Sequence, residues 1–384
     1  MQVPSHPTGP PRAARGDRAC PGGPTPPAAW PRTWRAARRT PTRQGGTVMP
    51  AAARTRTPGA PRASRTRSRG AGRPLAAGAA LLAAAFCGLA TAPQAGAATA
   101  PAPVAAAAPG EAPPDSFWGD TSAFPAPNNE VTVAVLNRTN GQYPDSEVYW
   151  SFNGETHSIA EQPYVDMPAN SAGRMYFYLG SPDSKYQDFI EFTVGDNVFN
   201  GNTTRVDAFG LKLAMRLHAE DGYDVQVGED YDTFQQSREQ TFQEFKDEVP
   251  TEFKGLADDP TRIPAPGSSP DFREGGKYAD YFTAYAQSQG VNAPTSDITG
   301  CAGVLANDPG KCSALNRHVA QLPEDQWSTP DLYYKDNPAN YYAKFWHDHG
   351  INHLAYGFPY DDFAGQSSFV SHQDPQWLAV AVGW

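Results

Sequence analysis

Lysine is missing from the first 97 residues, which carry fifteen arginines and a single acid, Asp17. Filled out with Ala, Pro, Thr and Gly, such a stretch cannot bury enough apolar surface to order itself. Its one apolar run, Leu75 to Ala90, is short and alanine-rich, which argues against a membrane span. The run fits the apolar core of a secretory signal peptide that starts at Met49. Arg54 to Arg73 supply its charged head and Ala95–Ala97 a small-residue cleavage site. Cys87 does not make a lipid anchor, because Phe86 stands where a lipobox requires a small residue. Residues 1–48 read as a non-native extension of the reading frame and 49–97 as the signal peptide. Residues 98–115 read as an extended, mobile Ala/Pro linker. The protein is expected to be secreted, with 116–384 as its folded domain.

Positive charge is scarce in what remains. Residues 98–384 hold 16 of the 31 basic residues and 40 of the 41 acidic ones, an excess of 24 negative charges. That excess argues against nucleic acid or an anionic membrane as partner, and a neutral polysaccharide is not repelled by it. Only two of the four cysteines lie here, Cys301 and Cys312. In an exported protein they are expected to close one small disulfide loop. A two-thiol metal site lacks further ligands at suitable spacing. No G-x-S-x-G, phosphate-binding loop or dinucleotide-binding glycine run occurs, so neither a cofactor nor a metal is expected. His347, His349 and His353 crowd "WHDHGINH", and the 349/353 spacing suits a helical metal pair. Gly350 lies between them, however, and the glutamate of HExxH is absent.

Short β-rich runs separated by Asn, Gly, Pro and Asp fill the first half: "EVTVAVLN", "EVYWSFNG", "GRMYFYLG", "QDFIEFTVG", "TTRVDAFG" and "LKLAMRLH". Their spacing predicts a sandwich or barrel. Helical periodicity follows in "SREQTFQEFKDEV", with Ser237 and Gln240 as a capping box. It continues in "KYADYFTAYAQSQG" and "NYYAKFWHDHG", the latter stopping at Gly350. "QWLAVAVGW" is extended again and could rejoin the first sheet. The fold class is β-rich α+β.

One acid stands out. Pleat parity in "DFIEFTV" puts Ile190, Phe192 and Val194 on a core face and Phe189, Glu191 and Thr193 on the other. Asp207 lies on the next predicted strand. Taking Asn200-Gly201 as the turn and centring the hairpin on Phe199 makes Glu191 and Asp207 cross-strand neighbours. Two carboxylates aimed at one cleft are the minimum equipment for glycoside hydrolysis. Direct opposition gives about 4.5–5.5 Å between Cβ atoms, whereas a slip or bulge widens the gap. A surface ion pair between Asp207 and Arg205 is the plain structural alternative. Thr193, Thr204, Thr203 and Asn202 lie on or beside these strands and are candidates for substrate hydrogen bonds, or ordinary turn polar groups. Tyr149, Trp150, Phe152, Tyr176 and Tyr178 should divide by parity between core and cleft. Asp361 and Asp362 in "PYDDF" read as structural.

"DFIEFTVGDNVFNGNTTRVDAFGLKLAMRL" closely resembles the catalytic core of glycoside hydrolase family 64, the secreted bacterial β-1,3-glucanases. The likeness extends to "RMYFYLG" and to "HGINHLAYGFPYDDFAGQSSF", and so over nearly all of 115–384. It implies Glu191 as general acid, Asp207 as general base and inversion of configuration. It also implies a thaumatin-like β-barrel or sandwich beside a mixed α/β lobe, with a wide groove between them. The partner it implies is a β-1,3-glucan (laminarin, curdlan or fungal cell-wall glucan), cut to short oligosaccharides, typically the pentasaccharide. The enzyme is expected to be a monomer. A glucan-binding protein without catalysis on the same scaffold is the alternative from another class.

Overall fold

The computed structural model of the protein describes residues 108–384; the expected N-terminal extension (1–48), the expected signal peptide (49–97) and residues 98–107 of the expected linker lie outside the described residues. In chain order the first strands are β1 (Val131–Arg138), β2 (Val148–Phe152), β3 (Glu155–Ser158), β4 (Tyr164–Met167) and β5 (Ala172–Leu179). Next come β6 (Gln187–Gly195), β7 (Val198–Thr203), β8 (Ala208–Phe209), β9 (Lys212–Ala219) and β10 (Asp224–Gly228). The last three are β11 (Ile263–Pro264), β12 (Phe369–Gln373) and β13 (Pro375–Gly383). They form a five-stranded sheet β10-β9-β13-β1-β4, a six-stranded sheet β12-β7-β6-β5-β2-β3, and a short ribbon of β8 with β11.

Strand alternation sets the core. Val131, Val133 and Val135 of β1, Leu213, Met215 and Leu217 of β9, and Leu378, Val380 and Val382 of β13 point inward from the first sheet. From the second sheet they meet Val148, Trp150 and Phe152, Met175, Phe177 and Leu179, and Ile190, Phe192 and Val194. Each such side chain contributes about 1.5–3 kcal/mol of burial, so the two sheets pack face to face as a sandwich. The core face expected for β6 is the one observed. As expected from its sequence, β13 rejoins the first sheet, parallel to β1 and antiparallel to β9.

The other face of the first sheet is lined by Ala214, Ala379 and Ala381, whose small side chains leave room for Trp118, Phe234 and Ile351. Residues 108–115, read from sequence as part of a mobile linker, are tied down here. Gly110 donates to Asp230 Oδ2 at 2.7 Å and accepts from the Asn352 amide at 2.8 Å, while Glu111 accepts from the Tyr231 amide at 2.9 Å.

Helices α1 (Tyr231–Gln235), α2 (Arg238–Glu248), α3 (Thr251–Lys254), α4 (Thr283–Ser288), α5 (Thr295–Thr299), α6 (Pro309–Asn316) and α7 (Tyr341–Asp348) build the remainder. The Ser237/Gln240 capping box is present. Phe242 and Phe245 are buried with Phe345, Trp346 and Phe209. The periodicity of 277–290 yields only the short α4. Phe282 donates its amide to the Thr295 hydroxyl at 3.0 Å instead of to the carbonyl one helical turn back. Lys277 to Phe282 therefore form turns.

The Cys301–Cys312 disulfide is formed, between buried residues of a second core around α5 and α6. Closing a loop of this length should stabilise the fold by about 3 kcal/mol. Replacing both cysteines with serine is expected to lower the denaturation midpoint accordingly in urea. A midpoint unchanged at equal slope would show that α5 and α6 hold that loop without the bond.

Candidate active site

β6 carries Glu191 on its outer face. Directly opposite on β5 is Arg174, and on β7 the partner is Asn202, with Phe369 of β12 completing the row. The β6–β7 loop is Asp196–Asn197, with Asn197 at φ 55°, so the hairpin turns there and not at Asn200-Gly201. Gly201 lies within β7, where an added Cβ would come 2.8 Å from the Phe199 ring and 3.2 Å from the Glu191 carbonyl. Its glycine permits close packing in a strand, which is why the turn signal misleads.

Because the register is shifted, Asp207 is not paired across from Glu191. The expected strand "TTRVDAFG" is also absent: β7 ends at Thr203, and 204–207 leave the sheet before β8. Arg205 draws this segment inward. It is 2 % exposed, and its Nη1 bonds Asp188 at 2.7 Å while Nε and Nη2 grip Glu229 at 2.7 and 2.6 Å. The Arg205 amide donates to the Tyr356 carbonyl at 2.8 Å, and its own carbonyl accepts from the Tyr342 hydroxyl at 2.7 Å. The Asp207 carbonyl accepts from the Ala265 amide at 3.1 Å. Arg205 thus anchors the Asp207 segment from below and is not its surface ion partner.

That partner is Arg174. Its Nε contacts Glu191 Oε1 at 3.0 Å and its Nη1 contacts Asp207 Oδ2 at 2.9 Å. One planar guanidinium therefore joins the two acids. Arg174 also stacks on Phe189, 4.1 Å from the ring centroid. The side chains are 20 % (Glu191), 38 % (Arg174) and 47 % (Asp207) exposed, so a polymer can reach them. Burial pushes the Glu191 carboxyl above its ordinary value; Arg174 opposes this and the Asp207 charge adds to it. Burial also pulls the Arg174 guanidinium down, but Glu191 and Asp207 more than offset that.

The four polar candidates divide. Thr193 Oγ1 and Asn202 Oδ1 are shielded and have no protein partner. Such atoms cost about 1–3 kcal/mol unless something bonds them. Thr203 instead bonds Ser368 Oγ at 2.9 Å, and Thr204 Oγ1 accepts from the Val206 amide at 3.2 Å. Both hydroxyls already serve the fold. Of the aromatics, Trp150 and Phe152 are core, while Tyr149, Tyr176 and Tyr178 are half-buried on the outer face.

The histidines do not converge. His347 Nε2 meets Asp361 at 3.0 Å, His349 Nε2 meets Glu248 at 3.3 Å, and the exposed His353 sits against Gly110. Asp361 is fully buried and structural, as expected, bonding Arg317 at 2.8 Å and the Gly357 amide at 2.8 Å. Among the described residues, the donor atoms of Glu244, Glu248 and His349 lie within 4.8 Å of one another. Burial lowers His349, but Glu248 outweighs it and raises the imidazole, as in an ion pair.

Sequence reasoning missed Arg174, Asp188 and Glu229. Asp188 shares the inward parity of Ile190, and an acid on a core face signals a buried partner. Arg174 stands in "GRMYFYLG" on the parity of Tyr176 and Tyr178; its relation to Glu191 appears only once the β5–β6 register is known.

Two acids held by rigid neighbours on an open β-sandwich face are the equipment of a glycoside hydrolase. The sequence matches the family described as "Beta-1,3-glucanase" over residues 181–289 and 295–382. It is 35 % identical to a laminaripentaose-producing β-1,3-glucanase of glycoside hydrolase family 64 from Paenibacillus barengoltzii, with a TM-score of 0.62, covering 69 % of this chain and 77 % of that one. The same figures hold for that enzyme complexed with laminarihexaose. A family 64 β-1,3-glucanase domain from Clostridium beijerinckii shares the fold at 23 % identity and TM-score 0.62, covering 68 % of this chain and 100 % of that one. No curated protein matches the chain. The chain belongs to glycoside hydrolase family 64, the β-1,3-glucanases.

Proposed function

We propose that the protein is a secreted, monomeric, endo-acting β-1,3-glucanase that inverts configuration and releases short oligosaccharides, laminaripentaose among them. The observation that carries this reading is the pairing of Glu191 and Asp207 through Arg174 on one open face. Glu191, raised by burial, protonates the departing glycosidic oxygen. Asp207 removes a proton from water attacking the anomeric carbon from the opposite face. The link through Arg174 leaves room for the roughly 6.5–9.5 Å that an intervening water requires. Thr193 and Asn202, whose shielded polar atoms lack protein partners, would bond sugar hydroxyls once a side-chain rotation exposes them. The groove of a thaumatin-like enzyme would run over this outer face. Its natural polymer would be laminarin, curdlan or fungal wall glucan, as the product named for the Paenibacillus relative suggests. The basic, alanine-rich leader supports export.

Proton NMR of a fresh digest of soluble β-1,3-glucan tests the mechanism. The α-anomer should appear first and then mutarotate. First appearance of the β-anomer would make Asp207 a nucleophile and end the inverting mechanism while leaving the glucanase activity. If bound glucan yields no reducing ends, the protein is a glucan-binding protein.

A further inference from the structure

Arg174 transfers no proton in the acid–base scheme above, yet among the described residues it is the one cation in contact with both acids. It cannot donate a usable proton, because guanidinium stays charged at working pH. Its effect must come through its neighbours. Three contacts fix it: Glu191 at 3.0 Å, Asp207 at 2.9 Å, and the Phe189 ring beneath it at 4.1 Å. Phe189 is itself held, 8 % exposed and packed on Tyr176 with centroids 5.3 Å apart. The Cα of Arg174 is pinned across from Glu191 by the β5–β6 ladder. Asp207, by contrast, lies in a segment outside the ladder, and its carboxylate is tied back to the strand-borne acid through this guanidinium.

Resting on the glucanase reading, we propose that Arg174 is a positioning residue that aims Asp207 through Nη1 and holds the Glu191 carboxyl through Nε. Two roles follow from its two bonds. The bond from Nη1 orients a base on an irregular segment, which governs kcat. The bond from Nε favours ionised Glu191, which sets where activity falls as pH rises. Neutral Asn202 and Phe369 continue the row beyond Glu191, and Asp207 is the other charge acting on it. With Arg174 removed, burial and Asp207 both push the Glu191 carboxyl upward unopposed.

The test is a carbon-13 titration of the glutamate carboxyls in the full-length protein, with Glu191 assigned from Glu191→Gln, alongside pH profiles on soluble β-1,3-glucan. Arg174→Gln should move the Glu191 midpoint up by about one unit or more. The alkaline limb of kcat/KM should move with it, and kcat should fall about 10- to 100-fold. Arg174→Lys keeps the charge without the planar fork. It should restore most of the midpoint but little of kcat. An unmoved midpoint in Arg174→Gln overturns the electrostatic role, and wild-type kcat in Arg174→Lys overturns the orienting one. If Arg174→Gln fails to fold, Arg174→Lys still decides the orienting role. If the wild-type protein cleaves no glucan, the functional reading fails separately, and the titration still reports on Arg174.

Discussion

Glu191→Gln and Asp207→Asn should each lower kcat on soluble β-1,3-glucan by about 100- to 10,000-fold, the usual range for a general acid or base. The amides are nearly isosteric and still offer Arg174 an oxygen, so the fold should survive. Partly exposed ion pairs like these are worth about 0–1 kcal/mol, and circular dichroism should show a melting transition close to wild type. The two variants should differ by substrate. A sugar alkoxide leaves only with a proton, whereas an aryl oxide of low basicity leaves without one. Glu191→Gln should therefore recover much of its rate on an activated aryl β-1,3-glucoside, and Asp207→Asn should not. Recovery by Asp207→Asn instead would exchange the two roles. The pH profile adds a sign. With Glu191 as the proposed general acid, activity needs it protonated; burial raises that carboxyl, so wild-type activity should be lost as pH climbs through the raised value. In Glu191→Gln that alkaline limb should vanish from the residual rate. Undiminished hydrolysis by either folded variant would remove that residue from the mechanism.

Glu191 was legible in the sequence because strand parity is local: the alternation of Phe189, Glu191 and Thr193 against Ile190, Phe192 and Val194 needs no tertiary knowledge. The capping box of α2 and the return of β13 to the first sheet were equally local in origin. Asp207 was legible as a candidate, but for the wrong geometric reason. Its place depends on Asn197 forming the turn, on Gly201 packing inside a strand, and on Arg205 leaving the sheet for a buried partner on β6 and another just after β10. Those are long-range facts. A dipeptide such as Asn-Gly favours a turn and close packing alike, and only the surrounding side chains decide which it makes. The role of Arg174 was invisible for the same reason: its face follows from strand parity, but its place opposite Glu191 depends on the β5–β6 register.

Arg205→Met is expected to be the most damaging single substitution near the site, costing about 3–5 kcal/mol because it strands buried charge. Asp188 and Glu229 would lose their cation while remaining 5 % and 4 % exposed. Against a total stability of about 5–15 kcal/mol, such a loss should lower the melting temperature by about 10 °C. Kinetic damage should accompany it, because the backbone of Arg205 and Val206 leads directly to Asp207. Buried ion clusters can often be exchanged for apolar side chains without loss, but that remedy should fail here. Asp188 also accepts the amides of Gly210 and Leu211, at 2.8 and 3.1 Å, and Glu229 accepts the amide of Leu213 at 2.7 Å. A triple Arg205→Met, Asp188→Leu, Glu229→Leu variant removes the charges and takes the carboxylate acceptors from four N–H groups, those of Gly210, Leu211 and Leu213 and that of Phe189, which bonds Asp188 Oδ1 at 2.9 Å, each costing about 1–3 kcal/mol. Urea denaturation should place that triple variant no higher than Arg205→Met alone. A triple variant as stable as wild type would mean that the cluster is an ion pair and nothing more, and that the segment bearing Asp207 is held by its backbone hydrogen bonds with Tyr342 and Tyr356.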